Sequence, residues 1–562
     1  MPSPSITPSA RRRRRIFRVI AVLLGLMVIP AVELLLTLVG FGLDTSLIIR
    51  NVEFNQPDQN TGTHQLNGLA DLVYFGITDL SGPEIRPFTL PKPTNLYRVV
   101  VLGESTVIGF PYAAELAFPR LMQIQLQAQM PERRIEVLNA GITGINSFAI
   151  ADLARQATAA EPDLVVIHAG HNEYYGPGGP GSSVFNYPPL LISAAFRLRH
   201  LRLPQLLSGG YQVEEAREDL LNVLPAQPNI ELNSPTYIQG RENFRTNLSR
   251  AVDYLTQARI PVLIVPTACN LRDQSPLLST WPARKKGRGD WRRHLTEAEQ
   301  QMSVQNPAKA LESLRAAEEV LAEQAELQFR LGQCLQALGR KEEARSAFEL
   351  ARDYDNCRFR MPSEFNEVAQ QVIQGRDNCW YFDLSAAFVA AGYEDSPGAE
   401  LFLEHVHYTF DGHHVVGQLL SNFIVEKCLH AKWKPDRVIE LDEMKELTGF
   451  VLEDDLVALS HALQVFETTP FRACLDLQNH QQRLIDRIRQ RYLELPPSRQ
   501  NVFADVPFST LTQDVIQALA AAHRKAGHLE EARFLESRRS LRRPWGNHLP
   551  QRESENSGTI QN

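Results

Sequence analysis

Five short apolar runs constrain this chain more than any other feature: 98–102 (RVVVL), 135–138 (IEVL), 164–168 (LVVIH), 262–265 (VLIV) and 380–384 (WYFDL). Between them lie stretches with apolar residues at helical spacing, including 118–130, 147–160 and 241–258. Near-continuous apolar strands alternating with amphipathic helices predict an α/β fold, a parallel sheet covered on both faces. The interval between the fourth and fifth runs is too long for one crossover and calls for an insertion.

Residues 291–358 supply it. Leu331, Gly332, Leu335, Gly339, Ala344, Phe348 and Ala351 fit the helix-turn-helix pattern of a tetratricopeptide repeat. Ala310, Leu314 and Ala317 lie 34 residues before Ala344, Phe348 and Ala351, so a preceding repeat shows through. Two repeats bury little alone and must stack on something else, leaving a protein partner as one expected contact. Beyond residue 430 the chain reads as charged helices, and 517–539 echoes half a repeat through Gly527 and Ala532.

The N-terminus reads as a membrane segment. Residues 1–18 hold six arginines and no acid, and 19–43 is apolar throughout except for Glu33. Twenty-five helical residues rise about 37 Å against a bilayer core of about 30 Å. Cationic residues at that flank keep it cytoplasmic and predict export of the remainder. The expectation is a single-pass anchor in a bacterial inner membrane, with the body periplasmic or extracellular. A cleaved signal peptide is the competing reading.

The formal net charge of −7 leaves −13 on the rest of the chain, which argues against nucleic acid as the partner. Six widely spaced cysteines show no metal spacing, although Cys357 and Cys379 are a conceivable pair. No metal and no organic cofactor is implied.

Three loops and one turn carry the chemistry. Gly103-Glu104-Ser105 ends the first run, and 137–147 (VLNAGITGINS) follows the second, with glycines at 141 and 144. The third run leads into 167–177 (IHAGHNEYYGP), with Asn172 behind Gly170; the last leads to 401–420, with two acid-x-x-His pairs, Glu404/His407 and Asp411/His414. Each block follows a strand's C-terminal end, where open α/β sheets bind ligands. Asp411 reads as an N-cap for the helix that follows, which favours Glu404 and His407 as the working pair. His168 reads as a packed core histidine, His171 and His405 as loop-shaping residues. Residues 188–207, both basic and apolar, read as a lid, a membrane-surface helix or a helix packed over the site. Val107 occupies the second glycine of G-x-S-x-G, so this is not the α/β-hydrolase elbow.

Together the blocks resemble the SGNH (GDSL) hydrolase superfamily, and the layout is similar to a bacterial subgroup that joins such a domain to a membrane anchor and tetratricopeptide-like repeats. Its serine block is matched by Gly103 to Ser105, its glycine block by Asn139 to Gly144, its Gly-x-Asn block by Gly170 to Asn172, and its Asp-x-x-His block by Glu404 to His407. Glu104 stands where aspartate is usual, and Glu173 replaces the aspartate that often follows the asparagine. The resemblance implies a flavodoxin-like doubly wound sheet of five parallel strands with the repeats inserted and a helical C-terminal region. It implies Ser105 as nucleophile, His407 as base and Glu404 as its orienting acid. Ser105, Gly144 and Asn172 would then be the oxyanion donors, and Asp411 with His414 the alternative acid and base.

The expected segments are 1–18, a cytoplasmic basic segment; 19–43, the anchor; 44–97, a linker; and 98–280 with 376–428, the hydrolase domain. They continue with 281–375, the insertion; 429–545, the helical C-terminal region; and 546–562, a disordered tail. The leading function is an esterase or acyl-hydrolase acting on an acylated small molecule, envelope carbohydrate or lipid. The alternatives are an O-acyltransferase of envelope polysaccharide using the same site and a non-catalytic scaffold working through its repeats.

Overall fold

The computed structural model describes residues 8–51, 63–76, 82–184, 187–209, 225–282, 285–393, 396–504 and 515–542. The expected disordered tail, 546–562, lies outside them, as do residues 1–7. In the segment expected as a linker, three short strands, β1 (Ile48–Arg50), β2 (His64–Leu66) and β3 (Pro87–Phe88), form an antiparallel sheet. Leu47, Leu66, Val73, Tyr74 and Phe88 bury this segment against the main body.

The main sheet has five strands: β4 (Leu96–Gly103), β5 (Arg134–Gly141), β6 (Leu164–His168), β7 (Val262–Ile264) and β8 (Cys379–Tyr381). They run parallel in the order β5-β4-β6-β7-β8. The β-branched run of β4 explains its place in the sheet interior, between β5 and β6. Val100 and Leu102 point to one face and pack with Phe148, Leu153, Leu248, Val252 and Val368. Val99 and Val101 point to the other, with Phe118, Met122, Leu384, Val416 and Leu420. Period-two alternation with both faces apolar is what a sheet sandwiched between helix layers requires.

β4 ends at Gly103, which pairs with Gly141 of β5 and His168 of β6. A Cβ on Gly103 would sit 2.3 Å from the His168 carbonyl oxygen, so no larger residue fits between these strands as the chain turns. The C-terminal ends of β4, β5 and β6 are therefore level, and the loops that follow them meet.

Between β7 and β8 stand two helix pairs, Arg288–Ser303 with Pro307–Val320 and Ala325–Ala337 with Lys341–Asp353. Ala310, Leu314 and Ala317 are buried, as are Ala344, Phe348 and Ala351. Gly332 lets the Phe348 ring approach to 2.6 Å from where a Cβ would stand. Arg330 grips Asp476 through two hydrogen bonds of 2.7 and 2.8 Å and ties this insertion to the C-terminal helices. Tyr112, in the loop after β4, donates to Asp455 at 2.6 Å and ties the same helices to the sheet.

The membrane expectation is overturned. Among the described residues no helix is long and apolar enough to cross a membrane. The apolar run belongs to a helix, Pro8–Leu38, that starts in the arginine block and stops short of residue 43. Gly40 and Gly42 follow it with positive φ values of 71° and 74°, which end a helix. Glu33 accepts from the backbone N–H groups of Arg202 and Leu203 at 2.7 and 2.8 Å, capping the short helix Arg202–Ser208. Gln205 then hydrogen-bonds both the N–H and the carbonyl of Leu43, at 2.9 and 3.0 Å. Hydropathy along a window does not register such contacts. The single-pass anchor falls, and with it the assignment of a cytoplasmic N-terminus and an exported body.

The six cysteines are all free, so Cys357 and Cys379 do not pair.

Candidate active site

Ser105 opens a four-residue helix, Ser105–Ile108, immediately after β4. Its Oγ lies 2.8 Å from His407 Nε2, across 302 residues of sequence. His407 Nδ1 contacts Glu404 Oε1. With Nδ1 protonated toward the carboxylate, Nε2 is left as the acceptor for the serine hydroxyl.

A tight hairpin places the acid and the imidazole. Leu403 N–H donates to the His407 carbonyl at 2.8 Å and Thr409 N–H to the Leu401 carbonyl at 2.9 Å, so residues 404–406 form its tip. Glu404 accepts there from the N–H groups of Val406 and His407 at 3.1 and 3.3 Å. Asn270, after β7, braces the tip from outside by donating to the carbonyls of Glu404 and His405 at 3.1 and 2.9 Å. Burial alone would raise the Glu404 carboxyl, but the His405 and His407 imidazoles outweigh it and hold the group well below its ordinary range. Glu404 is therefore an anion in a dry environment, backing a ring that faces a hydroxyl.

Sequence reasoning missed two neighbours. His405 Nδ1 contacts the second oxygen of Glu404, so one carboxylate serves two imidazoles. The His405 ring packs on Phe471 of the C-terminal region at 4.6 Å, while Phe110 stands edge-on to His407 at 4.9 Å. Glu104, noted only as a departure from the family pattern, accepts from Gly170 N–H at 2.8 Å, His171 N–H at 3.1 Å and Asn172 Nδ2 at 3.2 Å. It thereby locks the asparagine loop to the serine turn. Burial pushes its carboxyl up to about 8, opposed by those donors. The signal available in the sequence was its position, one residue before the serine.

The glycine loop reaches the same place. Gly144 has φ of 73°, a left-handed conformation that glycine adopts without Cβ strain. A Cβ on Gly176 would sit 2.9 Å from the carbonyl oxygens of both Gly144 and Asn172, so the two loops touch there. Glu173 anchors them from behind, accepting from Ser147 Oγ at 2.8 Å and Ser147 N–H at 3.1 Å.

The alternative pair is not brought to the serine. Thr409, not Asp411, caps the helix Phe410–Phe423, its hydroxyl accepting from Gly412 N–H at 2.9 Å; Asp411 sits in the first turn. His414 Nε2 donates to the Ile439 carbonyl at 2.9 Å. His168 is buried, held by the Val265 carbonyl and Tyr408, and burial lowers it to about 4. His171 donates to the Ala268 carbonyl and accepts from Met361 N–H, fixing a loop.

Glu404, His405 and His407 also offer ligand-type atoms within 4.8 Å of one another. Both Nδ1 atoms already lie against the shared carboxylate, and a metal ion there would have to break those contacts. A second Ser–His contact gives a contrast: Ser275 Oγ lies 2.7 Å from His480 Nε2. There Nδ1 faces the Arg483 guanidinium at 2.6 Å, and burial lowers the ring to about 4. A cation behind an imidazole disfavours the imidazolium that a base must become; the anion behind His407 favours it.

No protein-family model matches the chain, and no curated protein matches it. Among solved structures it is similar to an α/β-hydrolase enzyme from the metagenome of Lake Arreo, Spain, with 13% identity and a TM-score of 0.26, covering 58% of this chain and 93% of that one. It is similar to a lipase/acylhydrolase from Enterococcus faecalis, with 14% identity and a TM-score of 0.26, covering 58% of this chain and 95% of that one. A catalytic mutant of an acetylxylan esterase from Geobacillus stearothermophilus is similar at 12% identity and a TM-score of 0.27, covering 58% of this chain and 92% of that one.

Proposed function

We propose that this chain is a serine hydrolase of carboxylic esters, of the SGNH type, working through an acyl-serine intermediate. The observation that carries the reading is the unbroken line from Ser105 Oγ through His407, at 2.8 Å, to the ionised Glu404. In this reading Ser105 Oγ attacks the ester carbonyl while its proton passes to His407 Nε2. Glu404 stabilises the imidazolium. The oxyanion is received by the N–H groups of Ser105 and Gly144 and the Asn172 amide, and one such donor is worth about 3 kcal/mol in the transition state. His407 returns the proton to the leaving alcohol; water then attacks the acyl-serine with His407 again as base.

The hydrolase unit is 98–280 with 376–428. The 34-residue register of buried positions supports reading the two inserted helix pairs as tetratricopeptide-like. The substrate class in this reading is an acylated small molecule or glycan.

A fluorophosphonate probe tests the central claim without knowledge of the substrate. The full chain should be labelled at Ser105, and Ser105→Ala should lose both labelling and aryl-ester turnover while keeping its melting temperature. In labelled water, the released acid should carry solvent oxygen. A folded wild-type chain that neither takes the probe nor turns over a simple ester would overturn the reading.

A further inference from the structure

A cavity of about 530 Å³ lies between the helices Ser147–Ala157, Pro189–Arg199 and Pro235–Gln257. That size is typical of sites for small organic ligands. Its lining combines Phe148, Leu190 and Leu198 with three guanidinium groups, Arg155, Arg197 and Arg250, and a single carboxylate, Asp152.

That carboxylate is already spent. Asp152 accepts from Arg155 at 2.8 Å, from Tyr74 at 3.1 Å, from Gln156 at 2.9 Å and from His200 at 2.9 Å. The other two arginines have only neutral partners among the described residues. Arg197 donates to the Tyr254 hydroxyl, and Arg250 makes two long contacts of 3.4 Å with Ser193 Oγ and Asn247 Oδ1. Arg155 adds a buried Nε with no acceptor among the described residues. Cations lining one recess repel each other, and the repulsion grows as the recess loses water. An anion removes it, and guanidinium groups bind carboxylate or phosphate in paired hydrogen bonds.

The apolar side of the lining is equally unsatisfied. Leu190 and Leu198 are 78% and 55% exposed although they sit at the cavity. Covering such surface is favourable in proportion to the apolar area removed from water. A simple anion would answer the arginines and leave the leucines wet; a neutral alkyl chain would do the reverse.

We propose that this cavity binds a single-chain anionic amphiphile, its carboxylate or phosphate head on Arg197 and Arg250 and its alkyl chain along Phe148, Leu190 and Leu198. The helix Pro189–Arg199 is thus one wall of a ligand site. It is held to the body by Phe196 against Tyr74 at 5.0 Å.

Calorimetric titration of the full chain tests this, using dodecanoate and dodecyl phosphate below their micelle concentrations. Inorganic phosphate and dodecyl maltoside isolate the head and the tail. Both amphiphilic anions should bind saturably with one site per chain, at least tenfold tighter than either control. Arg197→Ala with Arg250→Ala should weaken them at least tenfold and leave dodecyl maltoside unaffected. Arg197 is exposed, so Arg197→Ala alone carries the test if the double variant fails to fold; about threefold weakening is expected from it. Equal binding of inorganic phosphate, equal binding of the neutral detergent, or undiminished binding by the arginine variants would overturn the proposal.

Discussion

Glu104 holds Asn172: the glutamate's carboxylate accepts from the asparagine's Nδ2 at 3.2 Å and from the two preceding backbone N–H groups. The residue before the nucleophile thus fixes the side chain assigned to receive the oxyanion. Glu104→Ala should lower ester turnover about a hundredfold, the scale of losing one oxyanion donor. Fluorophosphonate labelling of Ser105 should persist at a reduced rate, because the His407–Glu404 contact is untouched. Steady-state kinetics beside a labelling time course check this, and unchanged turnover would remove Glu104 from the site.

Burial raises the Glu173 carboxyl to about 8, against an ordinary value of 4.5, with a smaller contribution in the same direction from Glu104. A carboxyl raised in the folded state adds stability that is complete below pH 4.5 and is lost as the pH climbs through about 8. Glu173→Gln keeps an acceptor for Ser147 N–H and gains a donor for Ser147 Oγ without the ionisation. The variant should match wild type near pH 5 and exceed it near pH 9. The gap should be on the order of 4–5 kcal/mol, at about 1.4 kcal/mol per tenfold change in proton affinity over the shift from 4.5 to about 8. Urea unfolding across that range measures it; parallel curves would refute it. Glu104 titrates in the same window, so Glu173→Gln flattens the slope without abolishing it.

Such pairings mark where the sequence was and was not readable. The β-branched run 98–102 announced a buried interior strand because both faces of that strand are apolar, a local property of consecutive residues. The meeting of Ser105 with His407 was expected from blocks placed at strand ends together with the family resemblance they carry. The roles of Glu104 and His405 were invisible because each depends on where a distant loop or hairpin turns back. Three-residue strands such as Ile48–Arg50 are too short to show a period, so 44–97 read as a linker. The run 19–43 misled for the opposite reason: its hydropathy is legible, but Glu33 capping a helix 169 residues away is not.

Gly412 lies against the hairpin that carries Glu404 and His407. A Cβ there would stand 2.2 Å from the Leu401 carbonyl oxygen, which accepts the hairpin's Thr409 N–H. Backbone cannot give way as a flexible side chain can. Gly412→Ala should destabilise the fold by about 1–3 kcal/mol and slow labelling of Ser105 more than a distant substitution of equal destabilisation. Comparing the two variants at matched stability separates displacement of the hairpin from general loosening.

His405 shares Glu404 with His407, and its ring is wedged against Phe471. Burial lowers the His405 ring, although Glu404 opposes the shift. A neutral ring whose N–H donates to the carboxylate would fix the rotation of Glu404 and satisfy the oxygen that His407 leaves over. That makes His405 a positioning residue, acting on the base only through the acid. His405→Asn keeps a donor near the same oxygen and should retain turnover within about threefold, whereas His405→Phe leaves the oxygen short of a partner. In the Phe variant that oxygen keeps only the Val406 N–H at 3.1 Å, and Glu404 is free to rotate away from Nδ1. Its kcat should fall about tenfold to a hundredfold with KM little changed, and the acidic limb of the pH–rate profile should move. A purely structural role predicts instead that both variants lose stability together and that the profile keeps its shape, so the pH–rate profile decides between them.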